Sequence, residues 1–266
     1  MLDESTLCLA IGDVSGKGVP AALFMAVTRT LLRRRWRHDP SPATALTRVN
    51  AEIVRDNPRT MFVSLFCATV DLRRGEVRYA SGGHNPPFVT RAGGQVTSLP
   101  RVKGTIIGIG EGVTCEEGRL SLHAGDALLL YTDGVTEATD STGEFFGAVR
   151  TAETLTSLAR GPAGESREGL VAGARAALAD FAQQAEQYDD IAMLSFRYRQ
   201  PPPPAGGGGP AGRPSSAPGA QAPAPDGPPR RLAAELASSS SGPGGGWRSA
   251  PPGTACRRAR NSRPAG

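Results

Sequence analysis

Cysteine and histidine are scarce in this sequence, and nowhere are they grouped as chemistry would require. Cys8, Cys67, Cys115 and Cys256 stand far apart with no Cys-x-x-Cys among them, which excludes a zinc ribbon and a thiol redox motif. Three of them lie in apolar, strand-like stretches, where small buried residues sit in a reducing compartment. The histidines are His38, His84 and His123, and neither His38 nor His123 has an acidic, Ser or Cys constellation around it, so no Ser-His-Asp or Cys-His arrangement is legible. No apolar run is long enough to span a bilayer, and the opening "MLDESTLC" is acidic, without the basic and apolar regions of a signal peptide. These absences point to a cytoplasmic protein with no membrane partner.

Positive charge is missing from the place where a nucleic-acid binder would carry it. The formal charge of the 266 residues is +5. Eight arginines from position 200 onward, set against Asp226 and Glu235, give that tail +6 and leave the first 199 residues at −1. Nothing in the remainder suggests a basic face, and no nucleic-acid partner is expected. The run "RTLLRRRWRHD" (29–39) reads as a solvated helix end favoured by the dipole. The tail itself, "QPPPPAGGGGPAGRPSSAPGAQAPAPDGPP" and on to Gly266, has too few apolar residues to offset chain entropy. The expectation is therefore one folded domain over 1–199 and a disordered tail over 200–266.

What is present has a clear order. Residues 7–12 read as a strand and Gly12 to Gly18 as a tight loop. Pro20 suits a first helical turn, and Leu23, Val27, Thr30 and Leu31 then share one face of a helix running to about Arg35. A second helix follows "DPSP", with Leu46, Val49 and Ile53 at helical spacing, and ends near Asn57-Pro58. The period then changes to two in "TMFVSLFCATVDL", "GEVRYASGG", "PPFVTRAGG", "QVTSLP", "TIIGIG", "GVTCEEGRLSL" and "DALLLYTDG", which read as consecutive antiparallel strands with "RRG" (73–75) as a hairpin turn. Helices over about 147–160 and 165–186 and a last strand in "DDIAMLSFRYR" complete an α+β pattern of a helix-flanked sheet structure, without internal repeats.

Three acidic positions share one setting. Asp13 ends a strand in "AIGDVSG", Asp133 ends another in "LLLYTDGVTEA", and Asp189-Asp190 open the last strand. Taken singly, an Asp before Gly at a strand end is a turn former. Brought together, the three would make a cluster of hard oxygen ligands that needs cations, and Mg²⁺ or Mn²⁺ fits carboxylates and water. The stretch "GDVSGKG" is not a Walker loop, because only three residues separate Gly12 from Gly16 where four are needed, and Gly18, not Ser or Thr, follows the Lys. Its glycines let the backbone turn sharply and leave room for a phosphate. His84, in "SGGHNPP", is the one tempting general base, although a His in such a turn is more often a hydrogen-bonded loop residue.

In order and spacing, "IGDVSGKGVPAALFMA", "SGGHNPP", "GDALLLYTDGVTEA" and "DDIAMLSF" closely resemble the catalytic domain of the SpoIIE/RsbU-type metal-dependent serine/threonine phosphatases of the PPM (type 2C) superfamily. The resemblance covers nearly all of 5–198 and implies a PPM-type antiparallel β-sandwich flanked by helix pairs, with two Mn²⁺ or Mg²⁺ ions at one edge. It implies Asp13 and Asp133 as catalytic residues and Asp13, the Val14 carbonyl, Asp133 and Asp189 as metal ligands, with Asp13 shared by both ions and Asp190 beside Asp189. It further implies in-line attack of activated water on phosphorus without a phospho-enzyme. The implied substrate is a phosphoserine or phosphothreonine on an anti-anti-sigma (STAS) protein, with a second copy of the chain as a further candidate partner.

One departure bears on activity. Family domains open with an additional strand bearing a Gly-Asp-Phe/Tyr-Tyr-Asp type segment whose Asp ligates the second metal, whereas Met1 lies only a dozen residues before Asp13, and Asp3 and Glu4 are too near the strand to replace it. The expectation is a chain short of one ligand and one edge strand, with impaired turnover. The alternatives are a non-catalytic module that binds a STAS-type partner and a hydrolase of small phosphorylated metabolites.

Overall fold

The computed structural model describes residues 1–57, 61–161, 166, 169–183, 185, 187 and 189–200, so the tail expected to be disordered lies outside the described residues from position 201 on. The elements in chain order are β1 (Thr6–Val14), α1 (Val19–Trp36), α2 (Pro42–Arg55), β2 (Val63–Asp71), β3 (Glu76–Gly82), β4 (Phe88–Thr90), β5 (Val96–Ser98), β6 (Gly118–Ser121), β7 (Ala127–Tyr131), α3 (Gly147–Arg160), α4 (Gly169–Ala182) and β8 (Met193–Arg197). The strands form two antiparallel sheets, β1-β2-β3-β6 and β5-β4-β7-β8, so β1 and β8 are both sheet edges.

The central strands β2 and β7 are buried on both faces, and the edge strands are only partly so. In β2, Phe66, Ala68 and Val70 face the second sheet, while Val63, Leu65 and Cys67 pack under Leu46, Val49 and Ile53 of α2 and Leu32 and Trp36 of α1. In β7, Leu128 and Leu130 join the inter-sheet core, while Ala127, Leu129 and Tyr131 pack against Leu155 of α3 and Leu170 and Ala174 of α4. The result is the four-layer α-β-β-α sandwich expected from the sequence. Ser41 caps α2 by accepting from the Thr44 amide, and Pro42 occupies the first turn, where its missing donor costs nothing. The "RRG" hairpin forms as expected: the Asp71 carboxylate accepts from the Arg73 and Arg74 amides, and Gly75 has φ 71°.

Two expectations are corrected. The face of α1 formed by Leu23 and Val27 is not the packed one: they are 63% and 53% exposed, and Ala21, Thr28, Leu32 and Trp36 are buried instead. Of "TIIGIG" and "GVTCEEGRLSL", only Gly118–Ser121 is a strand; Ile107 makes one isolated bridge to Val63. The apolar run at 105–110 is a loop that pairs with β2 only through Ile107 and Val63, and side chains satisfy the main chain around Gly108 and Gly110. Asn50 accepts from the Gly108 amide and donates to the Gly110 carbonyl, and Asn57 donates to the Gly108 carbonyl.

Candidate metal centre

Alternation along β1 sends Leu7, Leu9 and Ile11 into the gap between the sheets, and Asp13 continues that side to the open end of the sandwich. Beyond Val14 the chain reverses through Gly16 and Gly18, at φ 87° and 81°, a region that L side chains rarely adopt. A Cβ on either glycine would meet nothing within 4 Å, so the loop borders open space. Ser15 and Phe62 tie this loop to the start of β2 by two hydrogen bonds, Ser15 N to the Phe62 carbonyl at 2.8 Å and Phe62 N to Ser15 Oγ at 2.9 Å.

Asp133 lies two residues beyond the end of β7 and begins a single 3₁₀ turn, Asp133–Val135, whose backbone is closed by the Thr136 and Glu137 amides donating to the Asp133 carbonyl. Thr132, buried beside it, joins this turn to the last strand: its hydroxyl donates to the Asp190 carbonyl at 2.8 Å and accepts from the Ala192 amide at 2.9 Å. A Cβ on Gly134 would stand 2.6 Å from the Asp190 carbonyl oxygen, so only glycine lets the two segments approach this closely. Asp189 is held in turn by the Asp190 amide, which donates to its carboxylate at 2.8 Å.

The three carboxylates meet. One oxygen each of Asp13, Asp133 and Asp189 lies within 4.8 Å of the others, and all three residues are half-buried. Burial pushes the Asp13 carboxyl up to about 6, and the charges of Asp133, Asp189 and Asp190 add to the rise against an opposing hydrogen bond from the Val14 amide. Three carboxylates this close could hold a cation, and an all-oxygen set suits a hard divalent ion. Val14 places its side chain in the α1/α2 core and its main chain beside Asp13, whereas Asp190 is exposed. Asp3 is remote in role: its carboxylate caps the start of β1 by accepting from the Ser5 and Thr6 amides.

His84 is the buried, hydrogen-bonded loop residue that the sequence favoured over a general base. It is 4% exposed, with Nδ1 2.8 Å from Ser64 Oγ and Nε2 3.1 Å from the Tyr131 carbonyl oxygen. Burial holds its pKa below the usual histidine value, against the Tyr131 carbonyl and the charge of Asp133. His123, read as isolated, is in fact 3.6 Å from the buried Asp126 carboxylate, at the opposite end of β7 from Asp133. Ser64 and Thr132 were not singled out from the sequence. Thr132 stands next to Asp133 and was there to be weighed, but Ser64 acquires its meaning only from the β-register that sets it opposite Asp13.

The fold is that of PP2C-type phosphatase domains. The RsbU and RsbW domain structure of Rv1364c from Mycobacterium tuberculosis superposes with a TM-score of 0.62 at 26% identity, over 75% of this chain and 53% of that one. The PP2C domain of SiaA from Pseudomonas aeruginosa gives 0.61 at 25% identity, over 74% of this chain and 77% of that one. Among curated proteins, Protein IcfG of Synechocystis is 32% identical over 183 residues, 59% of this chain and 29% of its own length. Phosphoserine phosphatase RsbU of Bacillus subtilis is 29% identical over 141 residues, 53% of this chain and 42% of its own length. The chain thus spans well under half the length of these two relatives. The family model of stage II sporulation protein E matches residues 3–199, and the chain belongs to this SpoIIE family.

Proposed function

We propose that residues 1–199 form the catalytic domain of a metal-dependent serine/threonine protein phosphatase, acting in the cytoplasm on a phosphorylated anti-anti-sigma (STAS) protein of a partner-switching pathway. The observation that carries this reading is the convergence of Asp13, Asp133 and Asp189 to within 4.8 Å at the open end of the sandwich. In the proposal these carboxylates, with the Val14 carbonyl, hold two Mn²⁺ or Mg²⁺ ions. Bound there, such ions supply Lewis-acid polarisation of a phosphoryl oxygen and a water made acidic enough to react at neutral pH. The protein's own part is positional. β1 and β7 deliver two carboxylates from different sheets, Thr132 and Gly134 draw the third alongside, and the open space bordering Gly16 and Gly18 admits a phosphoryl group. Phosphoserine as substrate class is supported by the relatives in Bacillus subtilis, RsbU and RsbP, both phosphoserine phosphatases.

A second reading, a phosphatase-like module that binds a STAS-type partner without turning it over, draws on the small donor set, three carboxylates among the described residues. Hydrolysis of para-nitrophenyl phosphate by the full chain with Mn²⁺, beside Asp133→Asn, tests the first reading. Metal-dependent turnover lost in the variant supports it, and turnover unchanged by the substitution overturns it. Partner binding in the absence of any turnover, with or without metal, would favour the second.

A further inference from the structure

The acidic cluster repels itself, and its members hang from separate sheets that share no hydrogen-bond ladder, so something other than the ladder must fix the distance between them. Asp13 belongs to β1 of the first sheet, and Asp133 follows β7 of the second. We propose that His84 is the positioning residue that ties the two sheets together at this end and thereby sets the spacing of Asp13 and Asp133. The proposal rests on the metal-centre reading above.

The bonding partners of the imidazole assign its protons. A carbonyl oxygen only accepts, so Nε2 carries the hydrogen and donates to Tyr131 at 3.1 Å. Nδ1 is then the acceptor, and the Ser64 hydroxyl donates to it at 2.8 Å. Both ring nitrogens are used, which leaves none for proton transfer to a substrate and excludes the general-base role. Each end of the ring touches a residue that neighbours a cluster acid. Ser64 is the register partner of Asp13 on β2, on the same side of that sheet, and Tyr131 is the last residue of β7, two before Asp133. The ring is itself fixed: the His84 amide donates to Ser81 Oγ, which donates back to the His84 carbonyl, both at 3.1 Å, and Gly83 turns at φ 75°. A planar, buried side chain anchored at both nitrogens and at its own main chain is a rigid spacer. Metal ligands need placement to within about 0.5 Å, so a spacer of this kind acts on affinity for the ion.

The test is a titration of Mn²⁺ into the full chain, with free Mn²⁺ read by electron paramagnetic resonance below the melting temperature and thermal melts of each apoprotein recorded alongside. Asp133→Asn is the control for the metal centre and should abolish tight binding. His84→Ala should weaken Mn²⁺ binding by about 10–100-fold, the range for residues that orient ligands. Ser64→Ala, which breaks one of the two bonds and removes little volume, should weaken it by roughly tenfold. His84→Gln, whose amide N–H reaches where Nε2 was, should recover part of the loss. If wild type fails to bind Mn²⁺, or Asp133→Asn binds as wild type does, the metal-centre reading falls and the role of His84 with it. If wild type binds and the folded Ser64→Ala and His84→Gln chains bind within about twofold of it, the metal centre stands and the tie is overturned. Lowered melting temperatures with unchanged Mn²⁺ affinity would also overturn it, since they would make His84 a packing residue only. Should His84→Ala fail to fold, Ser64→Ala and His84→Gln carry the decision.

Discussion

The two ends of β7 treat an aspartate in opposite ways. Asp126, immediately before the strand, is 2% exposed and fully partnered: Arg91 donates to it at 2.7 Å, the His123 amide at 2.9 Å and the Ala92 amide at 3.0 Å. Burial opposes its charge, but the His123 amide, Arg91 and the Ala92 amide outweigh burial and hold the carboxyl below its usual range. Asp133, just past the other end, shares its space with two more carboxylates, and their combined field helps to raise Asp13 to about 6. β7 is thus bracketed by a carboxylate held by donors of the chain and by one that stands among other carboxylates. The difference teaches how to tell a scaffold acid from a candidate metal ligand: the first is neutralised by an arginine and amides of the chain, and the second gathers with other negative charges.

The largest effect that could break this contrast is on turnover. Asp133→Asn should lower metal-dependent phosphatase activity by more than about 100-fold, beyond the usual cost of losing a residue that merely orients ligands, while leaving the apoprotein at least as stable; steady-state kinetics with a thermal melt reads both. Asp126→Ala should do the opposite. It strips Arg91 and two amides of their acceptor and should cost about 2–3 kcal/mol of stability in urea denaturation, with activity per folded molecule retained.

The pH dependence sharpens the comparison further. The Asp13 pKa is raised on folding, so its contribution to stability is present below the unfolded carboxylate value near ~3.9 and is lost as pH rises through about 6. Asp13→Asn should therefore raise the apoprotein melting temperature at pH 7–8 and have no such benefit at about pH 3.5. The pKa of Asp126 is lowered, so its contribution is present above the unfolded value and is lost as pH falls through the folded one. The penalty of Asp126→Asn should shrink in acid, where that of Asp13→Asn has no counterpart. A smaller effect comes from the ion itself: Mn²⁺ at a hundredfold excess over its dissociation constant should stabilise wild type by about 2.7 kcal/mol and Asp133→Asn by none, read as a shift in melting temperature.

Much of this arrangement was legible in the sequence because glycine and proline punctuate it. Asp13 stood out because Gly16 and Gly18 end the pattern of β1, and Asp133 because Gly134 ends that of β7. The helix-flanked sheet structure followed from the order of helical and period-two segments, and the sandwich from the family resemblance. What was illegible depends on distant partners. Ile106 and Ile107 look like a strand, yet the loop around them is satisfied by Asn50 and Asn57, residues that carry no local sign of that duty. Leu23 and Val27 look like the buried face of α1, but Leu32 and Trp36 lie over β2 and turn the helix the other way. Ser64 is one polar residue in an apolar strand until the register sets it across from Asp13.

The three acids also come from the beginning, middle and end of the domain, and this imposes a timetable. Synthesis delivers Asp13 first and Asp189 last, with β8 behind it, and a domain folds as a unit once its parts have left the ribosome. An unfinished or prematurely stopped chain therefore displays β1 and its glycine loop without all three carboxylates of the cluster. On the proposed reading, translation errors that shorten the protein before Asp189 should yield a fragment without turnover.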